Sequence, residues 1–349
     1  SQSDSNARTA IHVAQPSTSC LASKQTSGTP VAEAMQSWCG CFMVWMLVGP
    51  AWSFEIPPLT EFPPGYARTL PVPEATCGAG DPAHYVLIAP SKVTHADHFF
   101  FSFMGGAICF NKASCTADDY EDWLDLYKIV KRYAKSVKDE EYQYLISGNP
   151  VPLSLYAGLN PAYLPYDDDH ALAGQYGIFI PTCTADGYVG NYLVNYTSDF
   201  RAFHDGAVLF RAILDAVKVR FPSLKRITVV GASGSAVGAQ AWIGDIADAF
   251  PNADIHLLAD SFAHVLPATP VYDYFWKYVQ WSPNPNGNHT LAQKYSKDAQ
   301  TPTFDWTKRN VIPQLLKRYN GRVKIAYIQC ERDHVIKDNR RGLSAFSDF

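Results

Sequence analysis

Short hydrophobic runs bounded by turn-forming residues recur along the chain after a proline-rich segment at residues 57–73. They are rich in β-branched and aromatic residues and apolar on both faces, which is typical of parallel strands covered on both sides. Stretches with apolar residues three and four positions apart separate them and predict helices. The predicted strands are Tyr85–Ala89, His98–Met104, Gly177–Ile180, Ile227–Val230, Ile255–Ala259 and Val323–Gln329. The predicted helices are Thr116–Lys135, Phe200–Phe221, Ala236–Phe250 and Trp306–Tyr319.

This alternation predicts an α/β fold, with a doubly wound, mostly parallel sheet that carries helices on both faces. Two long segments interrupt the alternation, Asn149–Gln175 and Pro267–Thr301, and both are rich in proline and aromatic residues. Long irregular segments in a compact domain usually form lids or binding loops. We therefore expect these two segments to determine substrate specificity.

The N-terminal part of the chain differs from the rest. Residues 1–34 are rich in Ser, Thr, Ala and Gln, without apolar periodicity, and are expected to be a leader that does not fold. The apolar run Trp38–Val48 precedes small residues at Ala51 and Ser53, which predicts a signal peptide over residues 35–53, cut after Ser53. No Lys or Arg lies between Met35 and this run, so a buried helix or a short anchor is the alternative. Residues 54–349 then form a single secreted domain.

Secretion changes how the cysteines are interpreted. In an oxidising compartment they favour disulfides over metal ligation, and no CxxC pair is present, so we predict no metal site and no cofactor. Five cysteines follow the predicted cleavage site: Cys77, Cys109, Cys115, Cys183 and Cys330. An odd number leaves one thiol free or paired outside this chain. Two sequons predict glycosylation of Asn195 and Asn288.

Composition and charge exclude one class of partner. The net charge is −4 and no run of Lys or Arg occurs, so the chain lacks the basic face that nucleic-acid binding requires. Hydrophobic residues make up 47% of the chain and charged residues 18%, which is typical of a globular protein.

The strongest chemical signal is the segment Ile227–Ala236, in which a strand runs into small residues and then into a helix. A serine at such a turn, here Ser233, is typical of a nucleophile elbow, where the hydroxyl projects from the carboxyl end of the sheet. The G-x-S-x-G pattern has glycine at its fifth position, where this chain has Ser235. The alternative is a small-residue turn that binds phosphate or allows close packing.

A second signal follows the predicted strand His98–Met104. Gly105-Gly106-Ala107 can turn backbone amides toward a neighbouring site, as an oxyanion hole requires, although a bulge or tight turn would use the same glycines. Cys109 and Cys115 follow, with a spacing that can close a small disulfide loop.

The order of these and further segments resembles the pectin acetylesterase and Notum family of secreted carboxylesterases, over about residues 85–335. The segments are Gly105–Cys109 followed by Cys115, Ser147–Pro150, Ile180–Asp186, Gly231–Gly238 and Ala259-Asp260-Ser261. The chain departs from the family pattern at Ala107, Ile108, Thr182, Gly234 and Ser235. The resemblance implies an α/β-hydrolase-like fold, but these departures leave the acyl length and its carrier open.

The resemblance also implies roles. Ser233 would be the nucleophile, and Asp333, after the last predicted strand, the acid that orients a histidine. The amides of Gly106, Ala107 and Gly234 would form the oxyanion hole. The implied activity is hydrolysis of O-acyl esters, especially O-acetyl esters, on a carbohydrate or glycoprotein through an acyl-enzyme. No stable membrane insertion is expected. The alternative is a catalytically degenerate protein of the same fold that binds acylated ligands.

The catalytic histidine is the missing part. The family's histidine follows the acid, yet no histidine occurs after His334. We expect it to lie beyond Phe349, so that the 349-residue chain is truncated and inactive. His334 itself, next to Asp333, is the alternative base. His204 is expected within a helix, in a packing or capping role.

Overall fold

The computed structural model describes residues 54–106, 108–109, 112–116, 124, 147–156, 170–260 and 311–328. Contacts divide the chain into Ser1–Gly49 and Pro50–Phe349, and all the described residues belong to the second unit. The expected leader and signal peptide lie outside the described residues, as does the segment Pro267–Thr301.

The described chain is built on a mixed sheet of eight strands, in the order β10-β9-β8-β3-β5-β2-β1-β4. Neighbours from β10 to β5 are parallel, and β2, β1 and β4 continue the sheet in antiparallel pairs. Two further strands, β6 and β7, form a separate antiparallel hairpin. The strands are β1 (Tyr66–Thr76), β2 (Pro82–Ile88), β3 (His98–Phe103), β4 (Val151–Pro152), β5 (Tyr176–Ile180), β6 (Tyr192–Thr197), β7 (Phe200–His204), β8 (Arg226–Ala232), β9 (Asp254–Asp260) and β10 (Val323–Ile328). All six predicted strands are therefore present, and the α/β class is confirmed.

Four α-helices accompany the sheet in the described ranges: α1 (Lys112–Thr116), α2 (Gly206–Arg220), α3 (Ser235–Ala249) and α4 (Val311–Tyr319). Short 3-10 turns occur at Leu59–Glu61 and Leu153–Leu155. Helix α3 packs on β8, β9 and β3, and α2 packs on β1 and β2. The helix predicted at Ala236–Phe250 is confirmed as α3, whereas the one predicted at Thr116–Lys135 lies largely outside the described residues.

The prediction that a helix begins at Phe200 is wrong. Residues 200–204 form β7, and the helix begins only at Gly206. Burial alternates along Phe200–His204, with Ala202 and His204 buried, and cross-strand pairing with β6 stabilises the strand.

The core lies between the sheet and helices α2 and α3. Strand β3 is its centre, because Phe99, Phe100 and Phe101 have no exposed surface. The ring of Phe101 meets Phe210 of α2 edge to face at 5.4 Å, and Phe210 in turn packs against Trp242 of α3. Burying three consecutive phenylalanines is possible because this central strand is covered on both faces.

Candidate active site

Ser233 lies at the tight turn that joins β8 to α3. Its φ is +53°, a left-handed backbone conformation that is unfavourable for a residue with a side chain. The Ser233 amide donates to the Asp260 carbonyl at 2.9 Å, which fixes the turn against the end of β9. A strained serine between a parallel strand and a helix has the backbone geometry of a nucleophile elbow.

Close packing explains the glycine at position 231, two residues before Ser233. A Cβ on Gly231 would lie 2.7 Å from the Ala239 Cβ and 2.9 Å from the Ala236 Cα, so only glycine fits between strand and helix.

Ser235, at the position where the elbow pattern has glycine, stabilises the turn. Its side chain is buried, and its hydroxyl oxygen accepts from the Ala232 amide at 2.9 Å. The hydroxyl proton can donate to the Phe103 carbonyl at 2.9 Å or the Ala232 carbonyl at 2.8 Å. Ser235 therefore connects the elbow to the end of β3, and its hydroxyl both accepts and donates within the protein.

The two glycines after β3 lie directly against this turn. A Cβ on Gly234 would overlap the Gly106 carbonyl oxygen, and one on Gly105 would lie 2.9 Å from the Ala232 carbonyl oxygen. The structure thus brings together Gly106, Gly234 and Ser233, three of the predicted site residues. Ala107 lies outside the described residues, and the oxyanion hole stays a prediction.

A third segment, residues 184–190, packs on the same turn. A Cβ on Gly238, in the first turn of α3, would overlap the Gly187 carbonyl oxygen, and the ideal Cβ position of Gly187 is 3.5 Å from the Gly234 carbonyl oxygen. Ala185 and Tyr188 have positive φ values of 47° and 64°, so the segment is strained at two non-glycine residues.

Asp186 holds that segment in place. Its carboxylate is fully buried and accepts hydrogen bonds from the Thr184 hydroxyl at 2.7 Å and from the amides of Tyr188, Gly190 and Gly206 at 2.8–3.0 Å. Burial raises the pKa of Asp186 to about 6, and the four hydrogen bonds oppose that rise. The sequence gives only a weak signal for this role, namely Asp186 with Thr184 two residues before it and glycines close by.

Two disulfides brace the site. Cys109 is bonded to Cys115, the pair expected from their spacing, and the Cys109 amide donates to the Ala185 carbonyl at 2.9 Å. Cys77 is bonded to Cys183 across a separation of 106 residues. Both bridges connect to the segment around Asp186. Cys330, the fifth cysteine, lies outside the described residues.

His204 packs in the interior at the end of β7 rather than in a helix. Its Nδ1 lies 3.0 Å from the Thr184 carbonyl oxygen, so Nδ1 carries the proton and donates. Its Nε2 then accepts from the Tyr196 hydroxyl at 2.8 Å. Burial lowers the pKa of His204 to about 4, which keeps the ring neutral. Both nitrogens are engaged, so His204 has a structural role.

This burial predicts a pH dependence of stability. The pKa of His204 is about 4 in the folded protein against 6.5 when exposed, so the unfolded chain takes up a proton first as the pH falls. The contribution of His204 is therefore complete above pH 6.5 and is lost as the pH falls towards 4. It corresponds to about 3 kcal/mol. Urea unfolding at pH 7 and pH 4 should show wild type losing about 3 kcal/mol more than His204→Gln; parallel losses would contradict this account.

Of the other predicted residues, the structure describes Asn195. Asp333, His334 and Asn288 lie outside the described residues, whereas Asn195 is exposed on β6, where a glycan could be attached. No imidazole among the described residues hydrogen-bonds to the Ser233 hydroxyl.

Comparison with known proteins adds no assignment. No protein-family model matches the chain, and a search of curated proteins finds no match. Within the described ranges, none of the helices combines the length and apolar character needed to cross a membrane. No group of metal-binding side chains occurs in the same ranges.

Proposed function

We propose that the protein is a secreted serine carboxylesterase of the α/β-hydrolase type, related to the pectin acetylesterase and Notum family. The observation that carries the proposal is the left-handed backbone of Ser233 at a strand-to-helix turn, with φ of +53°. Such strain persists only where the surroundings enforce it, and it recurs at nucleophile elbows because it exposes the hydroxyl at the sheet edge.

The surroundings of Ser233 support the same chemistry. Gly106 and Gly234 pack against each other through backbone, since a Cβ on Gly234 would overlap the Gly106 carbonyl oxygen, so two of the residues from which we expect oxyanion-hole amides lie side by side at the Ser233 turn. The N-terminus of α3 follows immediately and favours developing negative charge. The strands β3, β8, β9 and β10 all run in the same direction, so β10 ends on the side of the sheet that carries Ser233, and Asp333 follows it by five residues in the sequence.

In the proposed reaction the Ser233 oxygen bonds to the ester carbonyl carbon as a base takes its proton. The amides of Gly106, Ala107 and Gly234 stabilise the oxyanion. The alcohol leaves with a proton and an acyl-enzyme remains, which water hydrolyses to the free acid. Asp333 would orient the histidine base. The acylated carbohydrate or glycoprotein substrate is inferred from the order of the motifs, which resembles that of the pectin acetylesterase and Notum family.

A degenerate binding protein is the second candidate, because no described imidazole contacts Ser233. Fluorophosphonate labelling of the full-length natural protein separates the two, since the reagent reacts with activated serines only. We expect one adduct per chain, mapped by mass spectrometry to the peptide containing Ser233, and none after heat unfolding. Absence of an adduct on the folded protein would refute the esterase.

A further inference from the structure

A cavity lies at the opposite end of the sheet from Ser233. It has a volume of about 610 Å³ and opens between the loop that precedes β3, the residues that precede β5, and the first residues of β8 and β9. Ser233 follows the last residue of β8, whereas Arg226 is its first, so the two sites are separated by the length of that strand, roughly 20 Å.

Every titratable side chain that lines this cavity can carry positive charge. The set comprises Lys92, His95, His98, His170, Arg226 and His256, and no acidic side chain is among the described lining residues. The guanidinium of Arg226 and the ammonium of Lys92 make no ion pair within the part of the chain that the structure describes. The cavity therefore concentrates basic side chains, although Asp97 lies 3.8 Å from the Nε2 of His98 and can pair with it.

Strand register places three of these groups on one face. Arg226 is paired with His98 on β3, and Thr228, two residues further on, is paired with His256 on β9. Residues two apart on a strand and paired residues on neighbouring strands project to the same face, so these side chains form one surface. The rings of His95 and His98 stack at 4.6 Å and extend the surface into the loop.

Two polar atoms of the lining residues have unused hydrogen-bonding capacity. The Nε2 of His256 and the Oε1 of Gln175 are buried and have no hydrogen-bond partner. Leaving such an atom without a partner costs about 1–3 kcal/mol. A polar ligand with several oxygen atoms could hydrogen-bond to the imidazole of His256. The side-chain amide of Gln175, if flipped, could donate to the same ligand.

The chemistry selects an anion over a metal ion. No three imidazoles converge in a metal-binding arrangement within the described residues, and Arg226 and Lys92 would repel a cation. Arginine presents a planar set of donors that matches a tetrahedral oxyanion in a bidentate way. We propose that this cavity binds a phosphate- or sulfate-type dianion through Arg226, His98 and His256, with Lys92 at its mouth.

Binding should be coupled to protonation. The pKa of His98 is lowered by burial, Arg226 and His95, against an opposing contribution from Asp97. The pKa of His256 is lowered by burial, Lys324, Arg226 and His98, against an opposing contribution from Asp254. A bound dianion would offset this repulsion and raise both pKa values, so the affinity should increase as the pH falls.

Calorimetric titration of the full chain with sodium sulfate tests the proposal, because sulfate keeps its charge between pH 5.5 and 7.5. We expect saturable binding that is at least roughly tenfold tighter at pH 5.5 than at pH 7.5. Arg226→Gln should weaken it at least roughly tenfold at both pH values. His98→Gln with His256→Gln should remove most of the pH dependence.

Arg201→Gln is the matched control, since Arg201 is another exposed arginine, on β7 outside this cavity, and it should not change the affinity. Lys92→Gln replaces an exposed loop residue and serves as a second variant if Arg226→Gln folds poorly. It should also weaken binding. Inorganic phosphate and glycerol phosphate, titrated side by side, identify a free ion or an ester as the tighter ligand. Absence of saturable binding for all three anions, or equal losses in Arg201→Gln and Arg226→Gln, would overturn the proposal.

Discussion

Replacing Ser233 by alanine should reduce the hydrolysis of p-nitrophenyl acetate by the full-length natural protein at least about a thousandfold. The substitution removes the oxygen that forms the acyl-enzyme in the proposed reaction and leaves the backbone around it unchanged. Since Ser233 adopts a left-handed conformation, alanine is no more strained there than serine. The variant should therefore fold, and steady-state rates can be compared directly.

The matched control is Ser235, two residues away. Ser235→Ala and Ser235→Gly should retain most of kcat/KM, because this hydroxyl bonds the Ala232 amide and the Phe103 carbonyl rather than a substrate. Both variants should unfold at a lower urea concentration, since a buried amide loses its acceptor. Equal loss of activity in Ser233→Ala and Ser235→Ala, with both variants folded, would show that the nucleophile is misassigned.

Replacing Asp186 by alanine should lower the free energy of unfolding by about 3 kcal/mol or more at neutral pH. The substitution leaves the amides of Tyr188, Gly190 and Gly206 buried without an acceptor, together with the Thr184 hydroxyl. It should also reduce esterase activity, because the segment that Asp186 holds packs on the turn containing Ser233. Urea unfolding followed by circular dichroism measures the first effect.

Asp199→Ala is the control for this prediction. Asp199 is exposed and pairs with Lys112 at the surface, where an ion pair contributes little. Its removal should shift the unfolding midpoint far less than Asp186→Ala does. Similar midpoints for the two variants would show that the buried carboxylate does not stabilise the segment.

The parallel part of the sheet could be predicted from the sequence because its strands are continuous apolar runs. Strands β3 and β8 are buried on both faces over most of their length, so periodicity and turn residues delimit them. The Ser233 turn was predictable for the same reason, since the strand, the small residues and the helix are adjacent in sequence.

Strands whose formation depends on distant partners were missed. Strand β1 contains Pro71 and Pro73, which usually indicate a loop. Strand β1 pairs with β4 only at Tyr66 and Ala67. In the described part of the sheet, the edge of β1 beyond Ala67 therefore has no partner strand on that side and tolerates prolines, which lack an N–H group. Strand β7 resembles a helix in its local spacing, and only its pairing with β6, a tertiary feature, shows that it is a strand.

The supporting parts of the site are non-local as well. Asp186 binds Gly206, twenty residues away, and the packing of Gly187 against α3 joins segments that no sequence motif connects. Contacts of this kind depend on tertiary packing, so the turn at Ser233 was far easier to predict from the sequence than the residues that hold it in place.

The strand order has a consequence for biosynthesis. Strand β3 receives its neighbours β5 and β8 only from residues 176–180 and 226–232, so the centre of the sheet cannot assemble until the ribosome has released the chain well past Ser233. Until then its four buried phenylalanines lack their partners and are exposed to self-association. The centre of the sheet therefore forms late in synthesis, and we expect chaperone protection of the emerging β3 to influence the yield of the protein during expression.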